Sequence, residues 1–434
     1  MRAKDRITSS LGQSCDRPAT ETDKTRFPAF WYNSSMTLTV CIAKNVYGGD
    51  GIGRLGDGRV VFVPGTFAGE QVKAEIVEEK KHFVKARLVE IEEASPDRLG
   101  TGPLPIPGMV YANLSFSGEC RTKEDQLREF FDRARIPVLG DIRRGEDVAA
   151  PLHYRNKAVY HFARQDGQWA LGYRAEPSHR IVDIASDPLA CPEIDAKLPE
   201  IRRNVTALLT SGAPAVRKSV EQDGNVTVRW TLRSGVQWWI GRPRQPIVLK
   251  EGTCGKVFEV PADGFYQVNP TVGEALVKAV VAEYEKVRAE TPDVLDLYCG
   301  VGVFGLCCRP ERLTGIESGR QAIDFAKRNA AAQGYANARF FAEEVGRNLK
   351  RIPISPRTCV IVDPPRGGME PNVPAWLAAS KAPRILYVSC DPATLTRDLK
   401  TLCRTYDVES VRWFNMFPRT ARFESLVVLK RRSM

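Results

Sequence analysis

Val294-Leu295-Asp296-Leu297-Tyr298-Cys299-Gly300-Val301-Gly302-Val303-Phe304-Gly305 reads as a short buried strand running straight into a glycine loop. In open α/β sheets ligands collect at the carboxyl ends of the strands, so this junction predicts a binding rim. Two further strands end in reactive groups. Cys359-Val360-Ile361-Val362 stops at Asp363-Pro364-Pro365-Arg366, and Arg384-Ile385-Leu386-Tyr387-Val388-Ser389 stops at Cys390-Asp391-Pro392. From about residue 265 onward strands and helices alternate strictly, the sign of a doubly wound parallel sheet. Ser318 to Gln333 is an amphipathic helix closed by Gly334.

Toward the N-terminus the pattern changes. Residues 36–95 carry short β-branched runs, such as Val60-Val61-Phe62-Val63, between glycine turns. Such spacing predicts a small OB-like β-barrel, a common platform for single-stranded RNA. The Pro-rich stretch Gly102–Gly108 reads as a linker, a helix is expected from about Glu124 to Arg135, and 150–260 alternates strands with loops. The expected organisation is a disordered tail over 1–35, the barrel over 36–95, an α+β central RNA-binding domain over 96–262 and a Rossmann-like α/β sheet over 263–434.

The formal net charge is +11. An excess of this size points to a polyanionic partner, nucleic acid before any other. No apolar run approaches the ~20 residues of a membrane span, and the first ~35 residues lack the apolar core of a secretion signal. Eleven cysteines at scattered spacing form no disulfide framework, which fits a reducing cytoplasm. The sequence shows no sign of an obligate protein partner.

The Gly-x-Gly-x-x-Gly loop alone serves NAD enzymes and methyltransferases equally. Leu313-Thr314-Gly315-Ile316-Glu317 ends in a carboxylate placed to bind both ribose hydroxyls, and fits either. Asp-Pro-Pro after the fourth strand decides for a methyltransferase, because no nicotinamide site calls for it. Carbon 5 of a uracil is a poor nucleophile until a thiolate adds at carbon 6 and turns the ring into an enolate. Such chemistry needs a cysteine, a group at the pyrimidine edge and a base for the carbon 5 proton. Cys390, Asp363 and Glu424 are the candidates for these three roles. Glu424 heads the apolar run Ser425-Leu426-Val427-Val428, where a raised pKa is expected.

Five motifs stand in family order: Gly264-Phe265-Tyr266-Gln267-Val268-Asn269, Asp296–Gly302, Asp363–Arg366, Val388–Pro392 and Phe417-Pro418-Arg419-Thr420 with Glu424. Together they resemble the S-adenosylmethionine-dependent RNA uracil-5 methyltransferases. Gly65-Thr66-Phe67-Ala68-Gly69-Glu70, within 49–96, resembles the TRAM domain that many of these enzymes carry. The resemblance implies Cys390 as nucleophile and Glu424 as base. It implies contacts to S-adenosyl-L-methionine or the target base from Gln267, Tyr298, Gly300, Glu317 and Asp363. It leans toward ribosomal 23S RNA over transfer RNA, because the TRAM domain more often accompanies that substrate.

Three residues depart from the family pattern. Asp391 stands where asparagine is usual, Arg422 where histidine is common, and Val303 where asparagine is frequent. Many TRAM-bearing relatives also hold an iron–sulfur cluster on four cysteines. Here Met109 occupies a place where one of these is expected, and Cys120 with the distant Cys191 cannot supply four thiolates, so no cluster and no other metal is expected. A cytosine-5 enzyme would carry a cysteine beside the proline of Asp-Pro-Pro, and an exocyclic-amine enzyme an aromatic after it; both find Arg366. The rival of a different class is a non-catalytic RNA-binding or folding factor that has kept the fold.

Overall fold

The computed structural model describes residues 37–432 except 146–149, 176, 177, 244, 348 and 353. The expected tail over 1–35 lies outside the described residues. Strands β1 (Thr37–Cys41), β2 (Lys44–Asn45), β3 (Gly51–Arg54), β4 (Val60–Val63), β5 (Gln71–Glu79) and β6 (Phe83–Glu93) form one curled sheet in the order β1-β5-β6-β4-β3-β2. Alternation places one face of each strand inward, where Val40, Val61, Val63, Val72, Ala74, Val84 and Ala86 close a small core.

Helix α1 (Phe116–Ala134) begins eight residues before the expected Glu124. Phe116-Ser117-Gly118 has poor helix propensity. The Ser115 hydroxyl nevertheless caps the helix by accepting from Gly118 N at 2.9 Å. Packing then draws Glu119 and Lys123 wholly inside. The Gln126 amide donates to the carbonyls of Asn45 (3.2 Å) and Val46 (2.9 Å), which fixes the β2–β3 loop against α1. The stretch expected to be a linker is docked instead: Ile106 and Met109 are buried in the same core as Cys191.

After β7 (Ile142–Arg144) come β8 (Lys157–Gln165), β9 (Gln168–Arg174) and β10 (Ile181–Asp183). Three helices follow that were not expected: α2 (Pro192–Asp195), α3 (Leu198–Ser211) and α4 (Pro214–Asp223). Each carries a proline at its first or second position, so a residue that reads as a loop signal opens a helix here. With β11 (Asn225–Thr231) and β12 (Gly235–Ile240) the second sheet has the order β10-β9-β8-β11-β12. A hairpin of β13 (Val248–Thr253) and β14 (Lys256–Pro261) leads to α5 (Pro270–Glu285).

The largest sheet then alternates with helices: β15 (Asp293–Leu297), α6 (Val303–Cys308), β16 (Arg312–Glu317), α7 (Arg320–Ala332), β17 (Ala338–Ala342), β18 (Thr358–Val362), α8 (Val373–Ala379), β19 (Arg384–Ser389), α9 (Pro392–Leu402), β20 (Tyr406–Phe414) and β21 (Glu424–Arg431). Its order is β17-β16-β15-β18-β19-β21-β20-β7. The first five are parallel, and β21 inserts antiparallel between β19 and β20. The sheet is therefore mixed rather than wholly parallel, and β7 extends it from outside the C-terminal region. All five residues of β15 and of β18 are buried, which explains the apolar run Cys359–Val362 and leaves Asp293 and Asp296 as buried carboxylates of β15. Strand order reverses between β15 and β18, and at such a switch point the helices leave a crevice.

Candidate active site

Sheet register brings the rim residues together. Leu297 pairs with Ile316 on one side and Val362 on the other, so the next residues, Glu317, Tyr298 and Asp363, stand abreast. The antiparallel ladder of β19 with β21 ends at Ser389 and Ser425. One step further along both chains sets Cys390 opposite Glu424. These residues line a cavity of about 760 Å³ together with Gln267 and Gly300. All seven candidate site residues read from the sequence thus share one chamber.

The glycine loop is built by close approach. Asp296 is buried, and its Oδ2 accepts from Gly305 N at 2.9 Å. A Cβ at Gly305 would sit 2.5 Å from Leu313 and 2.9 Å from that carboxylate, so only glycine fits. Tyr298 lies in the left-handed region at φ 62°, a conformation costly for an aromatic residue. Its hydroxyl donates to Glu370, so the Tyr298 ring and backbone are what it offers the cavity. Glu317 Oε1 accepts from Gly319 N (2.7 Å) and Ser318 Oγ (3.0 Å), which holds the carboxylate at the wall.

Acids crowd the inner end. Burial first, then the charges of Asp296 and Glu317, pushes Asp363 up to about 8. Burial, opposed by the Gly305 N–H, lifts Asp296 to about 7. Glu424 is 4% exposed, and burial with the charge of Asp363 holds its pKa well above the ordinary carboxylate range. Burial, then Glu424 and Asp363, raises the Cys390 thiol to about 12. Arg366 acts the other way on both Cys390 and Glu424. It lines the chamber together with Arg422, a role its place after Asp-Pro-Pro did not reveal.

Sequence reasoning also missed Phe265, which lines the cavity yet is 74% exposed. It missed the partnership between two departures as well: Arg422 Nη1 donates to Asp391 Oδ2 at 3.1 Å. Val303 opens α6 and lines a smaller adjoining cavity. Away from the chamber, Cys120 lies beside Arg144 (3.2 Å) and Cys191 in the central apolar core. Among the described residues no group of three or more His, Cys, Asp or Glu side chains is placed to hold a metal ion.

A parallel sheet closed by a reversed last strand, with a glycine loop and a carboxylate on its rim, defines a methyltransferase fold. Residues 254–432 match the sequence model of tRNA (Uracil-5-)-methyltransferase, and residues 36–89 that of the TRAM domain. Over those residues the chain is similar to the RNA uracil-5 methyltransferase family, with a TRAM domain on the N-terminal side. It is 28% identical to an uncharacterized RNA methyltransferase of Halalkalibacterium halodurans, over 92% of this chain and 98% of that one. A Nostoc protein of the same description is also 28% identical, over 91% and 96%. Among solved structures, the tRNA (uracil-54, C5)-methyltransferase of Pyrococcus abyssi, in complex with S-adenosyl-L-homocysteine, superposes with a TM-score of 0.68. The two are 21% identical, over 90% of this chain and 99% of that one, which establishes the shared fold.

Proposed function

We propose that this protein methylates carbon 5 of a uridine in RNA through a covalent Cys390 adduct at carbon 6. The observation that carries the reading is the juxtaposition of Cys390 and Glu424 across the β19–β21 ladder, in one chamber with Asp363. S-adenosyl-L-methionine fits that chamber: Glu317 would take its ribose, the Gly300 loop its backbone-facing edge, and Gln267 its polar groups. When bound it supplies an electrophilic methyl group.

The residues of the chain do the rest. The Cys390 proton passes to water, the thiolate Sγ bonds to carbon 6, and the electron pair of the carbon 5–carbon 6 double bond moves into the enolate. Arg366 offsets the negative charge that would otherwise oppose thiolate formation among so many acids. Asp363, neutral at pH 7 with a pKa of about 8, can donate a hydrogen bond to the pyrimidine edge. Once carbon 5 carries the methyl, Glu424 takes the remaining carbon 5 proton and the thiolate departs from carbon 6. Phe265 at the mouth offers an aromatic face for stacking an unpaired base. We favour 23S RNA over transfer RNA on the strength of the TRAM domain, and a reducing cytoplasm as the compartment where Cys390 stays a thiol.

RNA containing 5-fluorouridine tests the mechanism, because fluorine cannot leave as a proton does. The wild-type protein, Cys299→Ala and Cys403→Ala should form a gel-shifted adduct, and Cys390→Ala none. An adduct persisting in Cys390→Ala overturns the assignment. Absence of methyl transfer to any cellular RNA would favour the non-catalytic folding factor. Mapping 5-methyluridine in RNA from cells with and without the protein identifies the substrate.

A further inference from the structure

Tyr47 belongs to the loop between β2 and β3 of the TRAM domain, far in sequence from any group in the chamber. Its ring is nevertheless wedged edge-on between Phe130 of α1 (centroids 5.7 Å apart) and Phe423, the neighbour of Glu424 (5.8 Å). Its hydroxyl accepts from Arg422 Nη1 at 2.8 Å and directs its own proton toward the Cys390 carbonyl at 3.5 Å. The same Arg422 nitrogen reaches Asp391 Oδ2. Asp391 Oδ1 meanwhile caps α9 by accepting from Ala393 N (3.0 Å) and Thr394 N (3.2 Å). An asparagine could cap α9 equally well, but only a carboxylate offers its second oxygen to a guanidinium as an ion pair. The two departures from the family pattern, Asp391 and Arg422, are therefore two halves of one contact, and Tyr47 is its third member.

We propose that Tyr47 is a positioning residue of methyl transfer, its hydroxyl locking Arg422 onto Asp391 so that Cys390 and Glu424 are held at a fixed separation. Asp391 follows the nucleophile and Arg422 precedes the base by two residues, so the clamp spans the two chain segments whose relative placement the chemistry needs. The loop that carries Tyr47 is itself pinned to α1 through Gln126 and through an ion pair of Lys44 with Glu129. The TRAM domain thereby becomes part of the catalytic frame as well as an RNA platform. This rests on Cys390 being the nucleophile.

Tyr47→Phe keeps the ring between Phe130 and Phe423 and removes only the hydroxyl. The rate of adduct formation on 5-fluorouridine RNA should fall ~3- to 10-fold, the range one hydrogen bond supplies. The KM for RNA should stay near wild type and the melting temperature should hardly move. Arg422→Ala should show a comparable loss, and the double variant should be no slower than Arg422→Ala alone, because both substitutions break one clamp. A wild-type rate for Tyr47→Phe, a loss confined to KM, or multiplicative losses in the double variant would each overturn the clamp. If the wild-type protein forms no adduct at all, the reading of Cys390 fails and the clamp goes with it.

Discussion

At the scale of single residues, the chamber is a problem in acid crowding. Glu424, Asp363 and Asp391 all raise the Cys390 thiol while Arg366 lowers it, and the signs of the shifts can be tested separately. Removing the cation should push the thiol higher still, so Arg366→Met moves the rising limb of the pH–rate profile for adduct formation to higher pH. Removing an anion does the reverse, so Asp391→Asn moves that limb to lower pH, even as it slows the reaction by loosening the clamp. A common direction for both variants would show that the limb belongs to another group. Glu424→Gln keeps size and hydrogen bonding but loses basicity. This variant should methylate about one RNA per protein molecule and accumulate as a covalent, already methylated complex. Turnover at the wild-type rate would place the proton elsewhere, with Asp391 the next candidate.

Burial also makes stability depend on pH. Asp296 titrates near 7 in the folded protein and near the ordinary Asp value of ~3.9 when unfolded. A raised pKa means that the folded state holds the proton more tightly, so the associated stability is present below about pH 4 and is lost as pH rises toward 7. Asp296→Asn should flatten this dependence, gaining about 2–3 kcal/mol relative to wild type between pH 5 and pH 8. Denaturant unfolding at the two pH values measures it, and parallel curves for the two proteins would refute it.

At the scale of elements, α1 is the fastening between the TRAM domain and the last sheet strands. Lys123 Nζ, wholly buried, donates to Glu119 Oε1 (2.8 Å), Asn415 Oδ1 (2.7 Å) and the Phe417 carbonyl (3.2 Å). Glu119 also accepts from the backbone N of Arg419, itself strained at φ 66°. This network holds the loop that leads into Glu424. Lys123→Met leaves the buried Glu119 carboxylate with only the more distant Arg419 guanidinium, 3.6 Å away, as counter-charge and should cost about 3 kcal/mol in urea unfolding. A cost below ~1 kcal/mol would mean that the neighbouring amides suffice.

These elements also show what is readable in a sequence. Strand ends are legible because a buried apolar run followed by Asp-Pro, Cys-Asp-Pro or a glycine turn has few other meanings, and Tyr298, Gly300, Glu317, Asp363 and Cys390 lie at or near strand ends, whereas Glu424 heads a strand and Gln267 lies in the loop before α5. Arg366, Arg422 and Tyr47 are not legible as partners, because charge pairing across 31 to 375 positions leaves no local pattern. The start of α1 and the three central helices are misread for a related reason: buried contacts and N-terminal prolines outweigh local propensity.

At the scale of the whole molecule, the basic charge is distributed over folded surface, and RNA affinity should follow salt accordingly. Between 50 and 200 mM salt the KM for RNA should rise by a factor of at least ~10², with kcat little changed, as counterion release requires. A flat KM would mean that the basic excess does not meet phosphate.

The insertion of β21 between β19 and β20 has a consequence for biosynthesis. Both neighbours leave the ribosome before the strand that must separate them. A nascent chain halted ahead of Phe423 would hold Cys390 and the glycine loop, but two naked strand edges in place of Glu424. Those edges must be kept from pairing with each other or with another chain until the wedge arrives. On the reading proposed above, release of methylated RNA is thus withheld until the sheet has been threaded shut, and the segment that carries Glu424 is the one that completes folding.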